Sequence, residues 1–265
     1  LFVIQFDMRV AGVAWATLIA QGMCAVASLI VMYRRMKRLP CEEGRENEKV
    51  PLFHMTAVRR IAQIGLPSML QQSLVSLSMM MMQGLVNSYG KVLVAGYTAA
   101  TKIDTLAMLP NMNFSNAMSS YTAQNLGAGK PARIPLGFQT GVKLSEVAAF
   151  PFVVLYFVFS RSMMGLFLTA ESEAAIRAGI AFLRIVSPFY FMISIKLMTD
   201  GIIRGSGAMA YFVAATVPDL ILRIGFALLL TPKFGSTGIW MAWPFGWFAA
   251  TTLTIWFYRK VIDAS

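Results

Sequence analysis

Between Val92 and Lys130 the chain reads VLVAGYTAATKIDTLAMLPNMNFSNAMSSYTAQNLGAGK, a largely apolar run that carries an acid, hydroxyls and amides at regular spacing. Tyr97, Thr101, Asp104, Met108, Asn111 and Ser115 follow one another at intervals of three or four residues, which in a helix places them on one face. A carboxylate sharing a face with hydroxyls and amides is a candidate functional group. Lys102 points to another face, so it does not simply neutralise Asp104 from the next turn. At 1.5 Å per residue Asp104 lies roughly 18 Å beyond Val92, near the middle of an apolar layer of about 30 Å. An ionisable group at that depth faces protein or water, either as a functional site or as half of a structural pair.

Other polar groups sit in similar surroundings. In IAQIGLPSMLQQSLVSLSMMMMQGLVNSYG the residues Gln72, Ser76, Met79, Gln83 and Asn87 form one face, expected to look inward, while Met79 to Met82 run all round the helix. Methionine serves adaptable binding surfaces and core filling alike. Asp200 precedes Arg204 by four residues, and Asp219 precedes Arg223 by the same interval; the second couple reads as a packing ion pair. Lys143 and Glu146, three apart, are expected to pair as well. Pro110 frees a carbonyl near Leu106, which needs Asn, Thr or water as partner.

The elements that must position these groups are long apolar helices. Of the 265 residues 57% are hydrophobic and 13% charged, and the mean hydropathy is +0.63. These values lie well outside the soluble range and identify an integral membrane protein. Seven stretches are long enough to span, at 11–33, 61–89, 92–125, 136–159, 174–200, 208–230 and 238–258. Alternating strand patterns are absent, so the expected class is an all-α polytopic bundle.

The net charge of +11 reports topology rather than nucleic acid. If the first full span runs inward, Arg34, Arg35, Lys37, Arg38, Arg45, Lys49, Arg59, Arg60, Lys130, Arg133, Arg204, Arg259 and Lys260 fall on the cytoplasmic side. Only Arg9, Lys91, Arg161, Arg177 and Lys233 fall on the other, in keeping with the positive-inside rule. Residues 34–60, with Pro40 and Pro51, then form a cytoplasmic linker, and the C-terminus is cytoplasmic too. Cys24 lies in a span and Cys41 in the linker, which offers no disulfide framework or metal-ligand spacing, and no cofactor is expected. His54 is the sole histidine; with no HExxH and no Ser/His/Asp set, an enzyme is not expected. The first and last full spans echo each other, Gly12 and Ala16 matching Gly238 and Ala242, as in two related bundles. The chain opens on an apolar run without an initiator Met and reads as lacking an N-terminal part.

Five ordered motifs carry a family resemblance: IGLPSMLQQSLVSL, AATKID, QNLGAGKP, RIVSPFYF and IIRGSG. Together they resemble the C-terminal lobe of the multidrug and toxic compound extrusion (MATE) family. The resemblance implies a twelve-helix exporter of two six-helix lobes. Residues 1–33 would end the N-terminal lobe, 34–60 would link the lobes, and 61–265 would form the six-helix C-terminal lobe. It further implies expulsion of cationic or amphipathic organic compounds by antiport against Na+ or H+. The setting implied is the bacterial cytoplasmic membrane, with the lipid bilayer and small-molecule drugs as partners and a monomer at full length. Several family members carry an acid early in the seventh helix, where this chain has Gln71 and Gln72. Asp104 matches the family's acidic position in the eighth helix, and Asp200 lies beside the RGxG turn. Gln72, Asn111 and Asn116 would be neutral ligands, and Met79, Met82, Met108 and Phe114 an adaptable apolar wall; Gln71, Tyr97 and Asp200 complete the candidate set. A flippase for lipid-linked precursors, which would need a more basic cavity, and a truncated product without transport are the alternatives.

Overall fold

Apolar runs punctuated by glycine, proline and basic turns fold into helices, and no strand occurs among the described residues. The computed structural model describes residues 9–37, 54–168 and 172–263. The expected turn before Arg9, Cys41 and the body of the linker lie outside the described residues.

Two compact units are present, Leu1–His54 and Met55–Ser265. The first contains α1 (Arg9–Met36), a helix whose Leu18, Met23 and Leu29 are all exposed, as suits a hydrocarbon solvent. The second unit holds α2 (Met55–Asn87), α3 (Lys91–Gly127), α4 (Arg133–Val158), the short α5 (Ser160–Gly165), α6 (Glu173–Val186), α7 (Tyr190–Gly205), α8 (Met209–Phe234) and α9 (Ser236–Asp263). Helix therefore takes in residues 34–36 and 55–60 of the stretch read as linker.

Five helical stretches are long and apolar enough to cross a membrane: Ala14–Met36, Lys91–Gly127, Arg133–Val158, Glu173–Gly205 and Met209–Phe234. The other two expected spans, on α2 and α9, are long enough but more dilute in aliphatic residues. Gln and Ser interrupt α2, and Trp, Thr, Gly and Pro interrupt α9. The stretch 174–200, expected as one helix, is divided: a 3-10 turn at Ser187–Phe189 separates α6 from α7. Pro188 is the physical reason, since it supplies no backbone N–H and clashes with the preceding turn.

Sharp turns close α3 and α7 in the same way. After α3 the Lys130 N–H reaches Asn125 O at 2.8 Å around Gly129, whose φ is 67°. After α7 the Ala208 N–H reaches Ile203 O at 3.2 Å around Gly207, whose φ is 77°. Both place glycine at the left-handed position that ends a helix.

The core is assembled by α3, α6, α7 and α9, with α8 against α9 and α2 against α8. Tyr97 of α3 stacks on Trp240 of α9 at 5.1 Å and meets the edge of Phe182 of α6 at 5.6 Å. From α2 the stripe Ser78, Met82 and Val86 is buried, while Gln72, Ser76, Met79 and Asn87 are exposed. The polar face expected to look inward is therefore not covered by the other helices of its unit. The stripe that is covered instead, Ser78, Met82 and Val86, recurs every four residues on α2, whose main packing partner is α8.

Candidate functional site

The acid-bearing face of α3 turns toward α4 and α7. Tyr97, Asn111 and Ser115 are buried and Asp104 is half-buried, as the 3.6-residue repeat requires. Lys102 is exposed on another face. Close approach to α7 depends on a small-residue pair, Gly201 and Gly205, one helical turn apart. A Cβ on Gly201 would collide with the carbonyl oxygen of Ser115, and one on Gly205 with that of Ser119.

That approach builds a polar seam through the bundle. Tyr190, the first residue of α7, donates its hydroxyl hydrogen bond to Asp104 Oδ1. The neighbouring Tyr156 of α4 meets the Tyr190 ring edge-on at 5.9 Å and donates to the carbonyl of Ile103 at 2.5 Å. Two turns along α3, Asn111 Oδ1 accepts from Ser145 of α4, and from Ser194 of α7 at 3.1 Å. A further turn on, Ser115 Oγ donates to Leu197 O at 2.6 Å and accepts from Arg204 Nη2 at 2.8 Å. Asp104 and Asn111 are thus held by partners on the facing helices. The expected side-chain partner for the Leu106 carbonyl is not among the described hydrogen bonds; Asn111 Nδ2 reaches back to Ala107 O at 3.5 Å instead.

The charged residues divide differently from expectation. Asp200 pairs with Lys196 at 2.7 Å, both buried, and not with Arg204, which crosses to Ser115 and, at 3.4 Å, Asn116 of α3. Lys196 and Asp200 are both buried one turn apart on α7, whereas Arg204 lies beyond the acid toward the helix end, where the Ser115 and Asn116 oxygens of α3 are within its reach. Asp219 and Arg223 form the expected pair at 2.7 Å, buried, with the guanidinium 4.6 Å above the Trp243 ring. Lys143 and Glu146 form no ion pair; among the described residues the pairs are Arg161–Glu173, Lys196–Asp200 and Arg223–Asp219.

The remaining candidates are dispersed. Met82 is buried in the core, Met79 is 45% exposed, and Met108 and Phe114 are half-buried against two different core clusters, so the four do not form one wall in this conformation. Gln71 is half-buried, and Gln72 and Asn116 are exposed. Gln72 borders a cleft of about 610 Å³ on α2 with Ser73, Ser76 and Met80. Sequence reasoning did not single out Tyr190, Tyr156, Ser145 and Ser194. For two of them a signal exists: Tyr190, Ser194, Leu197 and Gly201 recur at helical spacing straight after Pro188, a polar and small face on a helix whose start is fixed.

Chemically, the seam offers a carboxylate with a phenolic donor and neutral oxygens. Such a group can hold a proton or a hard cation, and its phenolic donor comes from α7 while the acid comes from α3.

A sequence profile of the MatE family matches residues 67–229. The chain is 28% identical over 240 residues to the probable multidrug resistance protein YpnP of Bacillus subtilis (strain 168), covering 90% of this chain and 52% of that protein. It is 20% identical over 245 residues to the probable multidrug resistance protein NorM of Thermotoga maritima, covering 89% and 50%. The fold matches an outward-facing multidrug resistance MATE family transporter of the MOP superfamily at a TM-score of 0.84 and 23% identity, over 99% of this chain and 58% of that one. It matches a MOP superfamily transporter from Pyrococcus furiosus at a TM-score of 0.85 and 22% identity, over 99% and 58%. The chain spans about half the length of the curated relatives it matches.

Proposed function

This chain belongs to the MatE family, and from that premise we propose that it is the C-terminal part of a secondary transporter that exports cationic or amphipathic organic compounds in exchange for Na+ or H+. Residues 61–265 are its six-helix C-terminal lobe, 1–33 the end of the N-terminal lobe and 34–60 a cytoplasmic linker. The protein sits in the cytoplasmic membrane with its C-terminus inside, as the positive-inside rule requires. Curated relatives named as probable multidrug resistance proteins support the transport class.

The observation that carries this reading is Asp104. It is a half-buried carboxylate in an apolar helix, held by the Tyr190 hydroxyl on α7, with no ammonium or guanidinium partner within ion-pair distance among the described residues. An intramembrane acid kept without a counter-charge is suited to take up a cation or a proton. Binding there favours one arrangement of α7 against α3, and so one state of an alternating-access cycle. Reciprocity follows, because a cation that weakens drug binding must itself be weakened by drug.

The flippase reading requires uncompensated basic groups in the cavity. Among the described residues the buried Lys196 and Arg223 are paired with aspartates, which supports the exporter, while the half-buried Arg204 has no carboxylate partner. Transport is tested with the gene product in vesicles, by following a fluorescent organic cation under an imposed Na+ or pH gradient. Gradient-driven efflux that is lost in Asp104→Asn supports the assignment; efflux and ion dependence unchanged in Asp104→Asn would overturn it.

A further inference from the structure

Arg204 has more donors than partners. Its Nη2 is taken by Ser115 and Asn116, while Nε has no partner and Nη1 makes no hydrogen bond among the described residues. The Phe212 ring lies 5.6 Å from the guanidinium carbon, which supports the charge without neutralising it. Along α7 the charged residues are Lys196, Asp200 and Arg204, and the first two satisfy each other at 2.7 Å. One positive charge is therefore left over, on a half-buried side chain with no described carboxylate within 4 Å.

This charge borders a cleft of about 600 Å³ lined by Gln63 of α2, Ser119 and Ser120 of α3, and Arg204, Ser206 and Gly207 at the end of α7. The Gln63 amide and the hydroxyls of Ser119 and Ser120 donate to no described acceptor, so neutral donors surround the cation. Arg59 lies one turn before Gln63 on α2 and is exposed. The cleft lies where α2 begins and α3 and α7 end, the same end of the bundle as Lys130 and Arg133. The buried Nε–H does not face the cleft, but the Nη1 hydrogens of the guanidinium beside amide and hydroxyl donors are a donor set for phosphate oxygens, which accept several hydrogen bonds at once.

We infer that this cleft binds a phosphate group, carried by the headgroup of an anionic phospholipid or by free phosphate. The inference rests on the chain being embedded in a membrane and not on ion-coupled export, so binding and transport can fail independently. The phosphate would complete the partners of Arg204 and fasten the end of α7 to α2 and α3.

The test uses the full gene product in detergent, with native mass spectrometry against phosphatidylglycerol and phosphatidylcholine and titration calorimetry with inorganic phosphate. The expected result is retention of phosphatidylglycerol over phosphatidylcholine by about fivefold, the effect of one basic group at a membrane surface. Arg204→Gln abolishes the preference, and Arg177→Gln, an exposed arginine on α6, keeps it. Because Arg204 also bridges α7 to α3, Gln63→Glu serves as the second variant: it leaves that bridge intact and places a carboxylate in the cleft, and it is expected to abolish binding with an unchanged melting temperature. Binding of inorganic phosphate that is lost in both variants, without a lipid preference, supports the same chemistry with free phosphate as its source. Wild-type protein that shows neither preference nor phosphate binding, or a folded Gln63→Glu variant that binds as wild type does, overturns the inference.

Discussion

Asp104 is the residue on which the functional reading turns, and its setting gives two separable expectations. Removing its charge in Asp104→Asn is expected to abolish ion-dependent efflux while leaving the helix intact, because asparagine still accepts from the Tyr190 hydroxyl. Removing the donor in Tyr190→Phe keeps the charge but deletes a hydrogen bond to it. Such bonds are worth about 1.5–3 kcal/mol, so the half-maximal ion concentration in an efflux assay is expected to shift by roughly ten- to a hundredfold. The Asp219–Arg223 pair behaves differently, since it is buried and self-neutralising. Asp219→Ala strands a guanidinium against Trp243 and is expected to cost about 3–5 kcal/mol in thermal unfolding. The double replacement Asp219→Leu with Arg223→Met is expected to recover most of that loss.

At the scale of elements, α3 and α7 touch through glycines, and that contact is more exacting than any single polar bond. Gly201→Val would drive a side chain into the Ser115 carbonyl and is expected to destabilise the protein by about 1–3 kcal/mol, read as a lowered melting temperature. Gly84→Ala on α2 meets open space and is expected to be neutral or to stabilise by up to about 1 kcal/mol. The helices themselves were legible from apolar run length, and the face carrying Tyr97, Asp104, Asn111 and Ser115 from its spacing alone. Which groups on other helices meet that face was not legible, because spacing along one helix says nothing about its neighbours. Tyr190, Tyr156, Ser145 and Ser194 come from positions more than thirty residues away from their partners on α3. The break at Pro188 was legible in principle, yet the apolar run continues through it and masks the boundary. Arg204 shows the same limit: its i,i+4 relation to Asp200 suggested a pair, while the closer acid-to-lysine geometry and the α3 oxygens decided otherwise.

For the whole molecule, the family assignment and the seam together define what must move. In the proposed cycle the Tyr190 hydroxyl on Asp104 links the cation site on α3 to α7, so ion binding and the packing of α7 on α3 bear on one contact. The exposed face of α2, with Gln72, Ser76 and Met79, presents a surface of mixed polar and adaptable apolar chemistry, and the proposed export function would use it for varied substrates. The direct test is outward transport of a fluorescent organic cation from vesicles carrying the gene product, with either a Na+ or a pH gradient imposed. The expected result is efflux that follows one of the two gradients and disappears in Asp104→Asn. Efflux indifferent to both gradients, or equal in wild type and Asp104→Asn, would contradict it.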